Sequence, residues 1–85
     1  MAGTKLFIGN LSFDTTDDSL KTAFAEHGNV VSARVITDRE TGRSRGFGFV
    51  EFETADEAAA AMKAMDGVNV DGREVRVSEA EDKRN

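Results

Sequence analysis

Apolar and polar residues alternate over Lys5-Leu6-Phe7-Ile8-Gly9-Asn10-Leu11, which predicts a strand over 5–11 with Leu6 and Ile8 facing a core and Lys5 and Phe7 facing away. After a loop at Ser12-Phe13-Asp14-Thr15-Thr16, in which Phe13 reads as a lid over the core edge, the period changes. Leu20, Ala23, Phe24 and His27 follow at helical spacing, behind Thr16 as an N-cap type residue and with Asp17 and Asp18 where the helix dipole favours negative charge. Gly28 is placed to end that helix. The β-branched run Val30–Thr37 predicts a second strand, with Ala33 and Val35 inward and Arg34 and Ile36 outward. A polar loop with a turn glycine, Asp38–Ser44, leads into a third strand over 45–52. Thr54 and Glu57 fit a capping box for a second helix, whose stripe is Ala58, Ala61, Met62 and Met65 and which Asp66-Gly67 closes. The methionines read as core filler. Asp71-Gly72 signals a short hairpin, and Glu74–Ser78 a last strand with Val75 and Val77 inward and Arg76 outward. The expected division is a flexible start at 1–4, one domain over 5–80 and a charged tail over 81–85, with fraying from Glu79 onward.

The order strand, helix, strand, strand, helix, strand predicts an α+β fold, the ferredoxin-like βαββαβ sandwich. In it a four-stranded antiparallel sheet has two helices packed on one face and the other face stays open. The stretch Arg45-Gly46-Phe47-Gly48-Phe49-Val50-Glu51-Phe52 is the one that needs that open face. In a strand, Arg45, Phe47, Phe49 and Glu51 share one side, and Gly46, Gly48, Val50 and Phe52 share the other. Strands favour aromatics, and scattered exposed apolar residues are ordinary. Two rings beside a cation on one face are less ordinary, and the octapeptide matches the pattern of RNA-recognition domains at every position.

The chain therefore resembles an RNA recognition motif domain over nearly its whole length, from Lys5 to about Ala80. Leu6-Phe7-Ile8-Gly9-Asn10-Leu11 is similar to the second, weaker signature of that family. The likeness is nearest to small proteins of bacteria and plant organelles with little beyond one such domain, above all over Asp38–Phe49. The resemblance implies that Phe7 and Phe49 stack bases, that Phe47 lies against a sugar or between nucleotides, and that Arg45 meets phosphate. If the first and third strands are the central neighbours, the three rings converge. Every base has a flat π face, so exposed rings bind single strands without reading identity, at about 1–3 kcal/mol per base. Three rings predict roughly micromolar affinity or weaker.

Composition changes this picture at one point, the charge. With 16 acidic and 11 basic residues the net charge is −5, which by itself speaks against a polyanion partner. What matters is where the cations lie. Lys5, Arg34, Arg45 and Arg76 fall on the expected open face, and Arg39 and Arg43 on the loop beside it. Asp14, Asp17, Asp18, Glu26, Asp56, Glu57 and Asp66 lie on or near the helices, and Glu51 and Glu74 are the acidic exceptions on the open face. Asn10 of the hexapeptide and Ile36 of the second strand complete the candidate RNA-binding set.

Other functions find little support. The 85 residues contain no cysteine and a single histidine, His27, which reads as a packing residue or last-turn cation, so neither a metal site nor a cofactor is expected. No nucleophile sits beside a positioned base, and Gly46 and Gly48 lie inside a strand where no dinucleotide fingerprint would be, so an enzyme is not expected. No apolar run approaches the roughly 18 residues of a membrane span, and the first residues lack the pattern of a signal peptide. The expected partner is single-stranded RNA bound by a monomer away from membranes. Single-stranded DNA and a protein partner on the same fold are the alternatives. The expected compartment is the cytoplasm, or the nucleus or an organelle in a eukaryote.

Overall fold

The computed structural model describes residues 4–38, 40–42 and 44–80, the side chains of Ser44 and Arg45 excepted. Its elements are β1 (Lys5–Gly9), α1 (Asp17–Ala25), β2 (Val30–Thr37), β3 (Ser44–Phe52), α2 (Ala55–Met65), β4 (Asn69–Val70), β5 (Arg73–Glu74) and β6 (Arg76–Glu79). Four strands form one antiparallel sheet in the order β2-β3-β1-β6, so β1 and β3 are the central pair. The helices cover one face, α1 over β2 and β3 and α2 over β6, β3 and β1. This is the ferredoxin-like α+β sandwich that the order of elements predicts.

The core lies between sheet and helices. Leu6 and Ile8 of β1, Val50 and Phe52 of β3, and Leu20 and Phe24 of α1 are all fully buried, joined by Ala58, Ala61 and Met65 of α2. The Phe24 and Phe52 rings meet at 6.4 Å and a tilt of 57°, which ties α1 to the middle of the sheet.

Both edge strands are closed by an acidic side chain from a helix end. Asp17 Oδ1 accepts the Val35 N–H of β2 at 2.6 Å, and Asp66 Oδ1 accepts the Val77 N–H of β6 at 3.0 Å. Each removes an outward-pointing donor that could pair with a foreign strand. The dipole preference that the sequence suggests for Asp17 is thus joined by a second task.

Several elements depart from the sequence pattern, each for a local reason. β1 stops at Gly9 instead of Leu11, because Asn10 adopts φ +60°, a left-handed conformation that breaks the strand. The stripe of α1 extends to His27, yet the helix ends at Ala25 with Glu26 as its C-cap, and half-buried His27 follows outside it. Gly28 is not a left-handed terminator. It lies against α2, where a Cβ would come within 2.7 Å of Glu57 Cβ.

Of the box expected at Thr54 and Glu57, one half forms: Thr54 Oγ1 accepts the Glu57 N–H at 3.1 Å. The Glu57 carboxylate does not reach back, and its Oε1 is buried with no hydrogen-bond partner among the described residues. The reciprocal box forms at α1, between Thr16 and Ser19. Phe13 is no lid, since 70% of it is exposed.

Asp71 and Gly72 both have positive φ, 53° and 90°, as a two-residue hairpin turn requires, and they join β4 to β5. The last strand is therefore split. Val75 bonds to Val68 and Gly67 of the hairpin, and the chain crosses to β1 only at Arg76, running on through Glu79. Glu79 thus belongs to the sheet instead of a frayed end, while the tail expected over 81–85 lies outside the described residues. Glu74, expected on the open face, belongs to β5 and so to the small hairpin. Among the described residues no helix is long and apolar enough to cross a membrane.

Candidate nucleic-acid interface

The face of the sheet opposite the helices carries the rings. Phe7 pairs directly with Phe49 across β1 and β3, and Gly9 with Phe47, so strand register alone brings three aromatics to one place. Phe7 stands 5.6 Å from Phe47 at 34° and 5.6 Å from Phe49 at 64°. All three remain half-exposed, while their strand neighbours Leu6, Ile8 and Val50 are buried. The alternation of β1 and β3 thus divides apolar side chains into a packed set and a displayed set.

The two glycines of β3 have separate causes. A Cβ on Gly48 would overlap the carbonyl oxygen of Arg34 and stand 3.1 Å from Val35 Cα, so β2 can press against β3 only because that side chain is missing. Gly46 has φ +87° and sits in a bulge, where the register slips from Val35↔Gly48 to Thr37↔Ser44. Its carbonyl accepts the Leu11 N–H at 2.8 Å, closing the end of the β1–β3 pair. Strict alternation is interrupted at Gly46, so the parity argument that assigns Arg45 to the open face does not carry past this residue. The Arg45 side chain itself, with Arg39 and Arg43 of the preceding loop, lies outside the described residues.

Of the other candidates, Lys5 and Arg34 join the rings. Lys5 Nζ stands 6.0 Å from the centre of the Phe49 ring, and Arg34 pairs with Phe49 from the β2 side. Ile36 is half-buried beside the β3 bulge. Arg76 pairs with Gly9 across β6 and β1, but its guanidinium turns toward the sheet edge, with Nε 3.9 Å from Asp66 Oδ1 in an exposed ion pair. Asn10 is engaged within the chain. Its Nδ2 donates to the Glu74 carbonyl at 2.6 Å, and its Oδ1 accepts from Arg73 Nη2 at 2.6 Å. Together with Thr15 Oγ1, which donates to Asp71 Oδ2 at 2.8 Å, it fastens the β4–β5 hairpin to the loop after β1.

The pattern of polar residues passes over Ser32. It is exposed on β2 and pairs with Glu51, which itself pairs with Lys5. Lys5, Ser32, Arg34, Phe49 and Glu51 surround a hollow of about 220 Å³. The inward positions of Ala33 and Val35 already imply an outward Ser32; a small hydroxyl simply gives no compositional signal. Acidic side chains gather at the opposite side, with Asp17 and Asp18 in the first turn of α1 and Asp56 and Glu57 in that of α2.

Comparison with known proteins agrees with this geometry. The chain is 57% identical over 83 residues to the Glycine-rich RNA-binding protein 2, mitochondrial, of Arabidopsis thaliana, an alignment covering 98% of this chain and 52% of that protein. It thus spans about half the length of that relative. The crystal structure of RNA binding protein PG1 superposes with a TM-score of 0.88 at 41% identity, covering 96% of this chain and 99% of the other. A structure described as a Sxl-lethal protein/RNA complex superposes at 0.85 with 35% identity, over 91% of this chain and 47% of that one. The sequence profile described as "RNA recognition motif" matches residues 6–76, from the first core residue of β1 to the start of β6. With both signature strands central, paired in register and displaying their rings on the face away from the helices, the chain belongs to the RNA recognition motif family.

Proposed function

We propose that this chain binds single-stranded RNA on the open face of its sheet. The carrying observation is the cluster of Phe7, Phe47 and Phe49, in which Phe47 and Phe49 each stand 5.6 Å from Phe7 and all three are half-exposed opposite the helices. Unpaired bases stack on Phe7 and Phe49, and Phe47 lies against a sugar. Lys5, Arg34 and Arg45 meet phosphates, with Arg39 and Arg43 adding charge from the loop and Arg76 a weaker contact at the edge. Ile36 offers apolar contact beside the rings. Asn10 acts chiefly by holding the hairpin, since both ends of its amide are bonded within the chain.

Duplexes are poor ligands, because their bases already stack on one another. The chain acts as a monomer and by binding alone, shielding, opening or delivering RNA without chemistry of its own. The relatives' names speak for RNA, and the mitochondrial and chloroplast proteins among them support an organelle as the setting.

The test is an NMR titration of labelled protein with short single-stranded RNA pools. Amide shifts confined to residues 5–10, 32–36, 45–51 and 76–80 are the expected result. Shifts confined to the helices, or none at low salt, would send the search to a protein partner. Single-stranded DNA of matched sequence in the same titration measures the contribution of the 2′-hydroxyl.

A further inference from the structure

Stacking explains affinity and leaves base identity unread, so any selectivity on this face must come from groups that reach a base edge. The hollow beside Phe49 holds such groups. Phe49, Lys5, Arg34, Ser32 and Glu51 line it, and register sets Ser32, Glu51 and Lys5 side by side across β2, β3 and β1. At about 220 Å³ it is smaller than the roughly 300–1,000 Å³ of pockets for drug-sized ligands, which suits a single base.

We propose that Glu51 makes this hollow a guanine-selecting subsite, a reading that rests on RNA binding at the same face. Phe49 and Glu51 are two residues apart on one strand and share a face, so about 7 Å of strand separates the stacking ring from the carboxylate. A base lying on the ring turns its edge toward that carboxylate. Glu51 is half-buried between its cross-strand neighbours, yet it forms no ion pair among the described residues. The natural partner, Lys5, has its ammonium over the Phe49 ring.

An ionised carboxylate only accepts hydrogen bonds. Guanine alone presents two adjacent donors, N1–H and the N2 amino group, on its Watson–Crick edge, matching the two oxygens. Adenine, cytosine and uracil each set a lone pair beside their single donor there, which the carboxylate repels. One side chain thereby both attracts the right base and opposes the others. Lys5 and Arg34 offset the repulsion between Glu51 and the RNA backbone, and the Ser32 hydroxyl can serve either as donor or as acceptor at the rim.

The experiment is a set of affinities of the intact chain for uridine pentamers carrying G, A, C, U or inosine at the central position, repeated with Glu51→Gln. Wild-type protein is expected to bind the G pentamer at least about ten-fold more tightly than the A, C and U pentamers, within the range of one bidentate base contact. Inosine, which keeps N1–H and lacks the amino group, should fall between. In Glu51→Gln the ratio of G to U affinity should fall to about one; because it is a ratio, the general gain from removing a negative charge cancels. Equal affinities in the wild type, or a guanine preference that survives Glu51→Gln, would overturn the proposal while leaving RNA binding in place. Failure of every pentamer to bind would overturn both.

Discussion

The two faces of β1 and β3 are built from nearly the same chemistry and have opposite fates. Toward the helices, Leu6, Ile8, Val50 and Phe52 are each 1% exposed or less. On the other side, one residue away along the same strands, Phe7, Phe47 and Phe49 stay half-exposed. Hydrophobicity therefore does not decide which residues form the core; the position of the helices does. The apolar area removed from water holds the fold together, and the apolar area left in contact with water is available to a ligand with flat faces of its own.

The sharpest way to break this comparison is to exchange a ring on each face for alanine. Phe52→Ala or Phe24→Ala should cost about 3–5 kcal/mol of stability, read from the shift of a denaturant midpoint. An unchanged midpoint would mean that those rings are not part of the core. Phe49→Ala or Phe7→Ala should instead weaken RNA binding by about 1–3 kcal/mol and leave the midpoint nearly in place, because each ring is already partly in contact with water and packs on no helix. A folded double mutant with undiminished affinity would end the stacking account.

Gly48→Ala joins the two faces. The added methyl meets the Arg34 carbonyl, so stability should drop by about 1–3 kcal/mol, and the displaced β2 should weaken RNA binding as well. Loss of stability with intact affinity would show that the position of Arg34 is immaterial. Arg34→Ala should flatten the salt dependence of binding by about 0.7 in logarithmic slope, the share of one phosphate on a single strand; an unaltered slope removes Arg34 from the phosphate contacts. The smallest effect belongs to Arg76→Ala. Its pair with Asp66 is exposed, at 77% and 51% of the two side chains, and should contribute under about 0.5 kcal/mol to the thermal unfolding free energy.

Much of this was legible in one dimension. The period-two alternation of 5–9 and 47–52 separates packed from displayed residues without knowledge of neighbours, and the helical stripes name Leu20, Phe24, Ala58, Ala61 and Met65, all of which are buried. Asp71-Gly72 declares its turn by composition alone. Such features depend on local backbone geometry, which a few adjacent residues are enough to set.

What the tertiary structure decided depends on partners far along the chain. Asn10 looks like a site residue because it lies within a signature, but its amide bonds to Glu74, 64 residues on. Asp17 caps the edge of β2 at Val35, 18 residues away, and Asp66 caps β6 at Val77. The bulge at Gly46 and the hollow shared by Lys5, Ser32 and Glu51 follow from register across three strands, and the split of the last strand at Val75 from its bonds to Gly67 and Val68. The sequence by itself determined which side chains alternate and which stretches coil, because those are properties of a short backbone segment. Which polar groups meet on the displayed face, and which are instead spent on holding a distant segment, was settled only when those segments packed.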